Sequence, residues 1–141
     1  MSVLTIETLD PIKLPLVARL YKQYYPSGKA KKDELTIVGY EQANMVAVVR
    51  FRNIEEYRLL TGMLVVPEQR EKGFGHQLMA HCREQILTAN DYCFAYQHLE
   101  SFYTQHGFIT QQEQQLPNSL KQLFQRYSNS GKKLVAMQYQ G

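Results

Sequence analysis

Met63-Leu64-Val65-Val66-Pro67-Glu68-Gln69-Arg70-Glu71-Lys72-Gly73-Phe74-Gly75-His76-Gln77-Leu78 passes from an apolar strand through a proline stop and a glycine-bearing loop into an amphipathic helix. The strand reads as Tyr57–Val66, and the helix opens at Gly73 and carries Phe74, Leu78, Cys82 and Ile86 at i, i+4 spacing. A helix N-terminus leaves its first four N–H groups without intrahelical acceptors and adds the positive end of the helix dipole. Two nearby glycines remove the side chains that would keep a phosphate from those donors. Arg70 and Lys72 add cationic donors at the rim, so the segment is built to hold a pyrophosphate. A dinucleotide fingerprint requires a small residue where Leu78 stands, and a Walker loop requires Gly-Lys-Ser/Thr where Gly75-His76-Gln77 stands. Both are disfavoured.

Working outward, Val3–Thr8 reads as a strand, and Leu16, Leu20 and Tyr24 recur at helical spacing with Pro15 in the first turn. Pro26-Ser27-Gly28 ends that helix. Leu35–Tyr40 and Met45–Phe51 read as a hairpin joined by Glu41-Gln42-Ala43-Asn44. Beyond the central segment, Tyr92–Tyr96 is a short strand and Leu99–His106 a short helix closed by Gly107. The Gln-rich run at 111–115 reads as a polar connection. A further helix spans Ser119–Tyr127, with capping-box spacing at Ser119 and Gln122 and a stripe of Leu120, Leu123, Phe124 and Tyr127. Ser128–Gly131 is then a turn and Leu134–Tyr139 the closing strand. Hairpin strands followed by strand–helix–strand–helix predict an α/β (α+β) fold, a mixed sheet with helices on both faces.

With 141 residues, 44% of them hydrophobic and 21% charged, the chain suits one globular domain over 1–141. A net charge of +3 suits an anionic partner and is too weak to argue for nucleic acid. The N-terminus lacks the pattern of a signal peptide, and no apolar run approaches the roughly 20 residues that span a bilayer. A cytoplasmic setting and no membrane partner are therefore expected. Cys82 and Cys93 form no CxxC pair and have no metal-like spacing beside them, so both are expected as free thiols.

Arg70-x-x-Gly73-x-Gly75 after Val65-x-Pro67 resembles the acetyl-CoA-binding motif of the GNAT superfamily of N-acetyltransferases. Leu99-Glu100-Ser101-Phe102-Tyr103-Thr104-Gln105-His106-Gly107-Phe108 is similar to that superfamily's helix with Phe-Tyr, three residues, then Gly-Phe. The two matches lie in the family's order, and the resemblance covers nearly the whole chain. It implies a mostly antiparallel sheet whose two central parallel strands, here Tyr57–Val66 and Tyr92–Tyr96, splay around a pantetheine arm. Backbone groups of Met63, Leu64 and Val65 would bond the arm like an added strand. Backbone N–H groups of Glu71, Lys72, Gly73, Phe74, Gly75 and His76 would hold the pyrophosphate beside Arg70. Tyr103 would protonate the departing thiolate. The implied enzyme moves an acetyl group from acetyl-CoA to a small-molecule or peptide amine, without a metal. A non-catalytic acyl-CoA-binding regulatory module of the same fold is the alternative. An acetylating toxin acting on aminoacyl-tRNA would need a far more basic surface.

The general base has no obvious owner. Arg58, Leu59, Leu60 and Thr61 stand where many family members carry a carboxylate, and Glu55-Glu56 reads as a solvated pair. An amine arriving partly neutral, or a water chain, makes a base unnecessary. His98 reads as a cap or surface residue, with a base or substrate contact as its alternative, and Cys82 and Cys93 read as core, which argues against an acyl-cysteine route. Tyr21, Tyr24 and Tyr25, followed by Lys29, Lys31 and Lys32, fall where the family builds its acceptor pocket; by pattern they read as a core face followed by a mobile basic loop. The stripe around Leu120 and Phe124 either covers the sheet or makes a homodimer contact.

Overall fold

The computed structural model of the chain describes residues 3–141. Among the described residues seven strands are hydrogen-bonded in the order β1-β2-β3-β4-β5-β7-β6, with four α-helices in the connections. They are β1 (Thr5–Thr8), α1 (Leu14–Tyr24), β2 (Leu35–Glu41), β3 (Asn44–Ile54), β4 (Tyr57–Val65), α2 (Phe74–Gln85), β5 (Asp91–Tyr96), α3 (Glu100–Thr104), β6 (Phe108–Gln111), α4 (Asn118–Asn129) and β7 (Leu134–Tyr139). The pairs β1/β2, β2/β3, β5/β7 and β6/β7 are antiparallel, and β4/β5 is parallel. Among the described residues no helix is long and apolar enough to cross a membrane. The chain divides into two compact units: the residues up to Arg52 with Thr61–Cys82, and Asn53–Leu60 with Arg83–Gly141. β4 belongs partly to each.

In the first unit the β2/β3 ladder extends to Glu41↔Asn44, so only Gln42 and Ala43 form the turn, with Gln42 at φ 57. At the turn that is one residue more of each strand than the hairpin pattern suggests, and β3 also runs on to Ile54, past the expected end at Phe51. Helix α1 starts where Pro15 tolerates it, in the first turn. Its buried face is Val17 and Tyr21, packed on Val38, Val48 and Leu64, with Leu14, Leu20 and Tyr24 at the margin. The predicted stripe needs correction: Leu16 is 43% exposed. Residues four apart drift about 40° around a helix per step, so Leu16 and Tyr24 cannot share one narrow face, whereas alternating steps of three and four keep to it. Residues of the other strand parity, Ile37, Ala47 and Val49, are equally buried. Helix α2 buries Phe74, Leu78, Met79 and Cys82 as its spacing predicts, but ends at Gln85, leaving Ile86 outside it. The Gln77 side chain of α2 accepts the Leu4 amide at 2.8 Å.

In the second unit β4 opens against β5 in the parallel register Arg58↔Asp91, Leu59↔Tyr92, Leu60↔Cys93. The first of these pairs is also an ion pair. Arg58 donates Nε to Asp91 Oδ1 at 2.8 Å and Nη2 to Oδ2 at 2.7 Å. Asp91 has no exposed side-chain surface and accepts the Thr88 amide as well. Strand β6, which no sequence pattern announced, pairs Phe108–Gln111 with Ala136–Tyr139 of β7. It lies at the end of the strand order with Ile109 exposed, so it lacks the alternating burial by which strands are recognised.

Helix α4 lays Leu120 and Leu123 on Leu59, Tyr92, Leu116 and Ala136, while Phe124 and Tyr127 meet Phe94 edge-on at 5.2 and 6.1 Å. The stripe covers the sheet. The capping box expected at Ser119 and Gln122 is absent: the helix begins one residue earlier, Pro117 occupies the N-cap without a side-chain bond, and the Ser119 hydroxyl is buried without a partner. The reciprocal box forms instead at Gln112 and Gln115, in the Gln-rich run. The helix also continues through Asn129, two residues past its predicted end.

Candidate active site

The chemistry-bearing segment begins inside β4. Gly62 takes φ 64, a left-handed value that glycine adopts without the Cβ penalty of other residues. Leu64 packs into the core beneath α1, while Met63 and Val65 are half-buried. The Val66 amide bonds the Val46 carbonyl of β3 at 2.9 Å. Since backbone groups alternate sides along a strand, Met63 and Val65 direct theirs to the opposite edge. The Val65 carbonyl there accepts Arg70 Nε at 3.0 Å.

Past the strand, Pro67 opens a short 3-10 turn that ends at Gln69. The loop then takes left-handed values at Glu71 (φ 72) and Gly73 (φ 79) on either side of Lys72. Such alternation of hand turns successive amides toward one side, the arrangement that makes a concave anion site. A Cβ built on Gly73 meets nothing within 4 Å, so glycine is required there by conformation and the space above it is open. The buried Phe74 ring anchors the start of α2. The Gly73 carbonyl receives the Gln77 amide at 3.0 Å, the first i→i−4 bond, so the amides of Phe74, Gly75 and His76 lie ahead of the helical ladder. Lys72 donates to Gln69 at 2.6 Å, pairs with Glu41 at 3.7 Å and lies 5.9 Å over the Phe74 ring. Met63 to Val65 and Arg70 to His76 thus form strand end, loop and helix start, as the sequence order implied.

In the second unit Tyr103 sits on α3, 5% exposed, with its ring edge-on to Phe102 at 5.1 Å and Phe108 at 5.9 Å. Its carbonyl accepts the His106 amide at 3.0 Å, and Gly107 (φ 93) then ends the turn. A Cβ on Gly107 would lie 2.7 Å from the Tyr139 ring, so that glycine answers both to conformation and to crowding. His98 is exposed and stacked on Tyr96 at 5.9 Å. Glu55 and Glu56 are exposed in the β3–β4 turn. Arg58 is committed to Asp91, and Leu59 and Leu60 are core. Both cysteines are buried and neither is in a disulfide, and burial pushes the Cys93 thiol up, away from the thiolate form that attacks.

Sequence reading missed Glu34 and Arg50. Arg50 donates Nη1 to Glu34 at 2.6 Å and to the Lys29 carbonyl at 2.6 Å, and Nε to the Tyr21 hydroxyl at 3.2 Å. The signal was present: a charged residue in the middle of an apolar β-branched run needs a buried partner. These bonds also join the basic loop to β3 at Lys29 and Glu34.

The profile described as "Acetyltransferase (GNAT) domain" matches residues 32–110, more than half of the chain. No curated protein matches. Among solved structures, the chain is similar to N-acetylglutamate synthase from Neisseria gonorrhoeae, complexed with coenzyme A and N-acetyl-glutamate, at 15% identity and TM-score 0.75. That match covers 99% of this chain and 35% of the synthase chain, so the chain spans about a third of that relative's length. It is also similar to Escherichia coli ElaA (19% identity, TM-score 0.67, 98% of this chain and 100% of that one). A third likeness is to the ribosomal-protein-S18-alanine N-acetyltransferase of Escherichia coli (14% identity, TM-score 0.65, 96% and 90%). At these identities the structural likeness speaks for the fold, and the matched profile for the kinship: the chain belongs to the GNAT acetyltransferase family.

Proposed function

We propose that the chain transfers an acetyl group from acetyl-CoA to a primary amine by direct attack in a ternary complex. The observation that carries this reading is the loop ahead of α2, where Glu71 and Gly73 turn the backbone left-handed beside the helix start. A phosphate-bearing arm is the ligand such a cradle suits. Amides of Glu71 to His76 hold the pyrophosphate, with Arg70 and Lys72 at its rim. Backbone groups of Met63 and Val65, on the edge away from β3, bond the pantetheine, with Leu64 between them packed into the core, and N–H donors near Val65 polarise the thioester carbonyl.

The amine nitrogen attacks the carbonyl carbon, forming the C–N bond and an oxyanion. Collapse breaks the C–S bond, and the Tyr103 hydroxyl gives its proton to the departing thiolate. The proton lost by the nitrogen passes to water, since the stretch Arg58-Leu59-Leu60-Thr61 offers no carboxylate to take it. Some relatives' solved complexes hold small amino-acid ligands, and another relative is named for a protein alanine, so both small and peptide amines are candidate acceptors.

Two outcomes follow. Gly75→Val puts a branched side chain in the first turn of α2, against the pyrophosphate. CoA affinity measured by calorimetry should fall about tenfold or more in a folded variant; unchanged affinity removes the cradle from the account. Direct attack needs no acyl-enzyme, so Cys82→Ala and Cys93→Ala should each keep most of the turnover number while losing roughly 1 kcal/mol of stability. Initial-velocity lines should intersect. Parallel lines, with an acetylated cysteine peptide found by mass spectrometry, would replace direct attack with a ping-pong route.

A further inference from the structure

The left-handed residue of β4, Gly62, is held from outside the strand. The Gly62 carbonyl accepts the Tyr21 hydroxyl at 2.6 Å, and that hydroxyl oxygen accepts Arg50 Nε at 3.2 Å. Arg50 is held in turn by the Glu34 carboxylate, which also accepts the Lys31 amide at 2.9 Å. The side chains of Arg50 and Glu34 are 7% and 4% exposed, and Tyr21 is 1% exposed. A Cβ on Gly62 would lie 2.6 Å from the Tyr21 hydroxyl and 2.8 Å from Arg50 Nε, so the network closes directly over the glycine.

Stability alone gives little reason for this chain of groups, because a buried ion pair is often no better than apolar side chains of the same volume. Direction is what it supplies. Arg50 can only donate, so the single Tyr21 proton must go to the Gly62 carbonyl. Burial raises the Tyr21 pKa to about 12, which keeps that proton in place through the working range. The peptide unit is planar and trans, so drawing the Gly62 oxygen toward Tyr21 points the Met63 N–H the opposite way. Met63 is the first of the residues assigned above to the pantetheine arm.

We propose that Tyr21 is a positioning residue for acetyl transfer: backed by Arg50 and Glu34, its hydroxyl fixes the Gly62–Met63 peptide so that the Met63 amide is aimed at the acyl end of the bound thioester. The proposal rests on the acetyl-CoA reading. Its test compares wild type with Tyr21→Phe in three measurements: turnover, CoA affinity, and the Met63 amide resonance with CoA and with acetyl-CoA. In wild type the Met63 amide should move further with acetyl-CoA than with CoA. Tyr21→Phe should abolish that difference and lower kcat about tenfold or more, while KM for acetyl-CoA and CoA affinity change less than about threefold. Wild-type kcat in folded Tyr21→Phe overturns the proposal. An equal loss of kcat and CoA affinity overturns it too, since that is general loosening. Should Tyr21→Phe fail to fold, Glu34→Gln keeps the hydroxyl but removes the charge that holds Arg50. It should lower kcat in the same direction by a smaller factor, and unchanged kcat is again contrary. If wild type neither binds CoA nor releases it from acetyl-CoA, the acetyl-CoA reading itself fails, and this proposal with it.

Discussion

Tyr103→Phe is expected to lower the turnover number at least tens-fold, toward the about 10²–10⁴ that general acid assistance typically contributes. Collapse of the tetrahedral intermediate expels a thiolate, and a phenol at hydrogen-bonding distance can give it a proton as the charge develops. The Tyr103 ring keeps its contacts with Phe102 and Phe108 when the oxygen is removed. Loss of one hydroxyl typically costs about 0.5–1.5 kcal/mol of stability, so the melting temperature should fall by no more than several degrees. The acid is needed in the transition state rather than in binding, so the loss belongs to kcat with CoA affinity little changed. Steady-state kinetics on the true amine check this. Wild-type turnover in a folded Tyr103→Phe protein removes the residue from the mechanism.

The second large effect concerns stability. Asp91→Ala should destabilise the protein by about 3 kcal/mol, the low end of the cost of stripping one partner from a buried ion pair, because Arg58 keeps partial access to solvent. Asp91 accepts from Arg58 at both oxygens and from the Thr88 amide, with no side-chain exposure of its own. Its removal leaves the Arg58 guanidinium, 25% exposed, with only part of its partners, and leaves Thr88 without this acceptor. Because Arg58 and Asp91 are also the first register pair of β4 with β5, the loss falls on the parallel pairing itself. For a chain of this size, a lowering of the melting temperature by roughly 10 °C is expected. A change under about 2 °C by circular dichroism would mean that the pair does not hold that register.

Signals confined to a few neighbouring residues were legible in the sequence. Proline, the two glycines and the i, i+4 run fixed the order strand, loop, helix from Tyr57 to Cys82, and Leu134–Tyr139 was read to the residue. The placement of Met63–Val65 and Arg70–His76 came with that order. Features that depend on distant partners were not legible. Arg50 finds Glu34 across 16 positions and Tyr21 across 29, separations that no periodicity reports. Gly62 was passed over, although an isolated glycine in a strand pattern is a recognised sign of a bulge or a close backbone approach. β6 escaped because its pairing with β7, not its own alternation, makes it a strand. At α4 the Ser-x-x-Gln spacing was real, but Pro117 supplied the helix start one residue sooner.

The central claim is acetyl transfer to an amine, and thiol release from acetyl-CoA across a panel of primary amines tests it most directly. The panel should include free amino acids, polyamines, aminoglycosides and peptide N-termini, with each amine recovered for mass analysis. The account predicts release that requires both acetyl-CoA and one class of amine, with the acetyl group found on that amine's nitrogen. A protein that binds CoA by calorimetry, yet releases no thiol above background with any amine, would contradict it and leave a non-catalytic acyl-CoA-binding module.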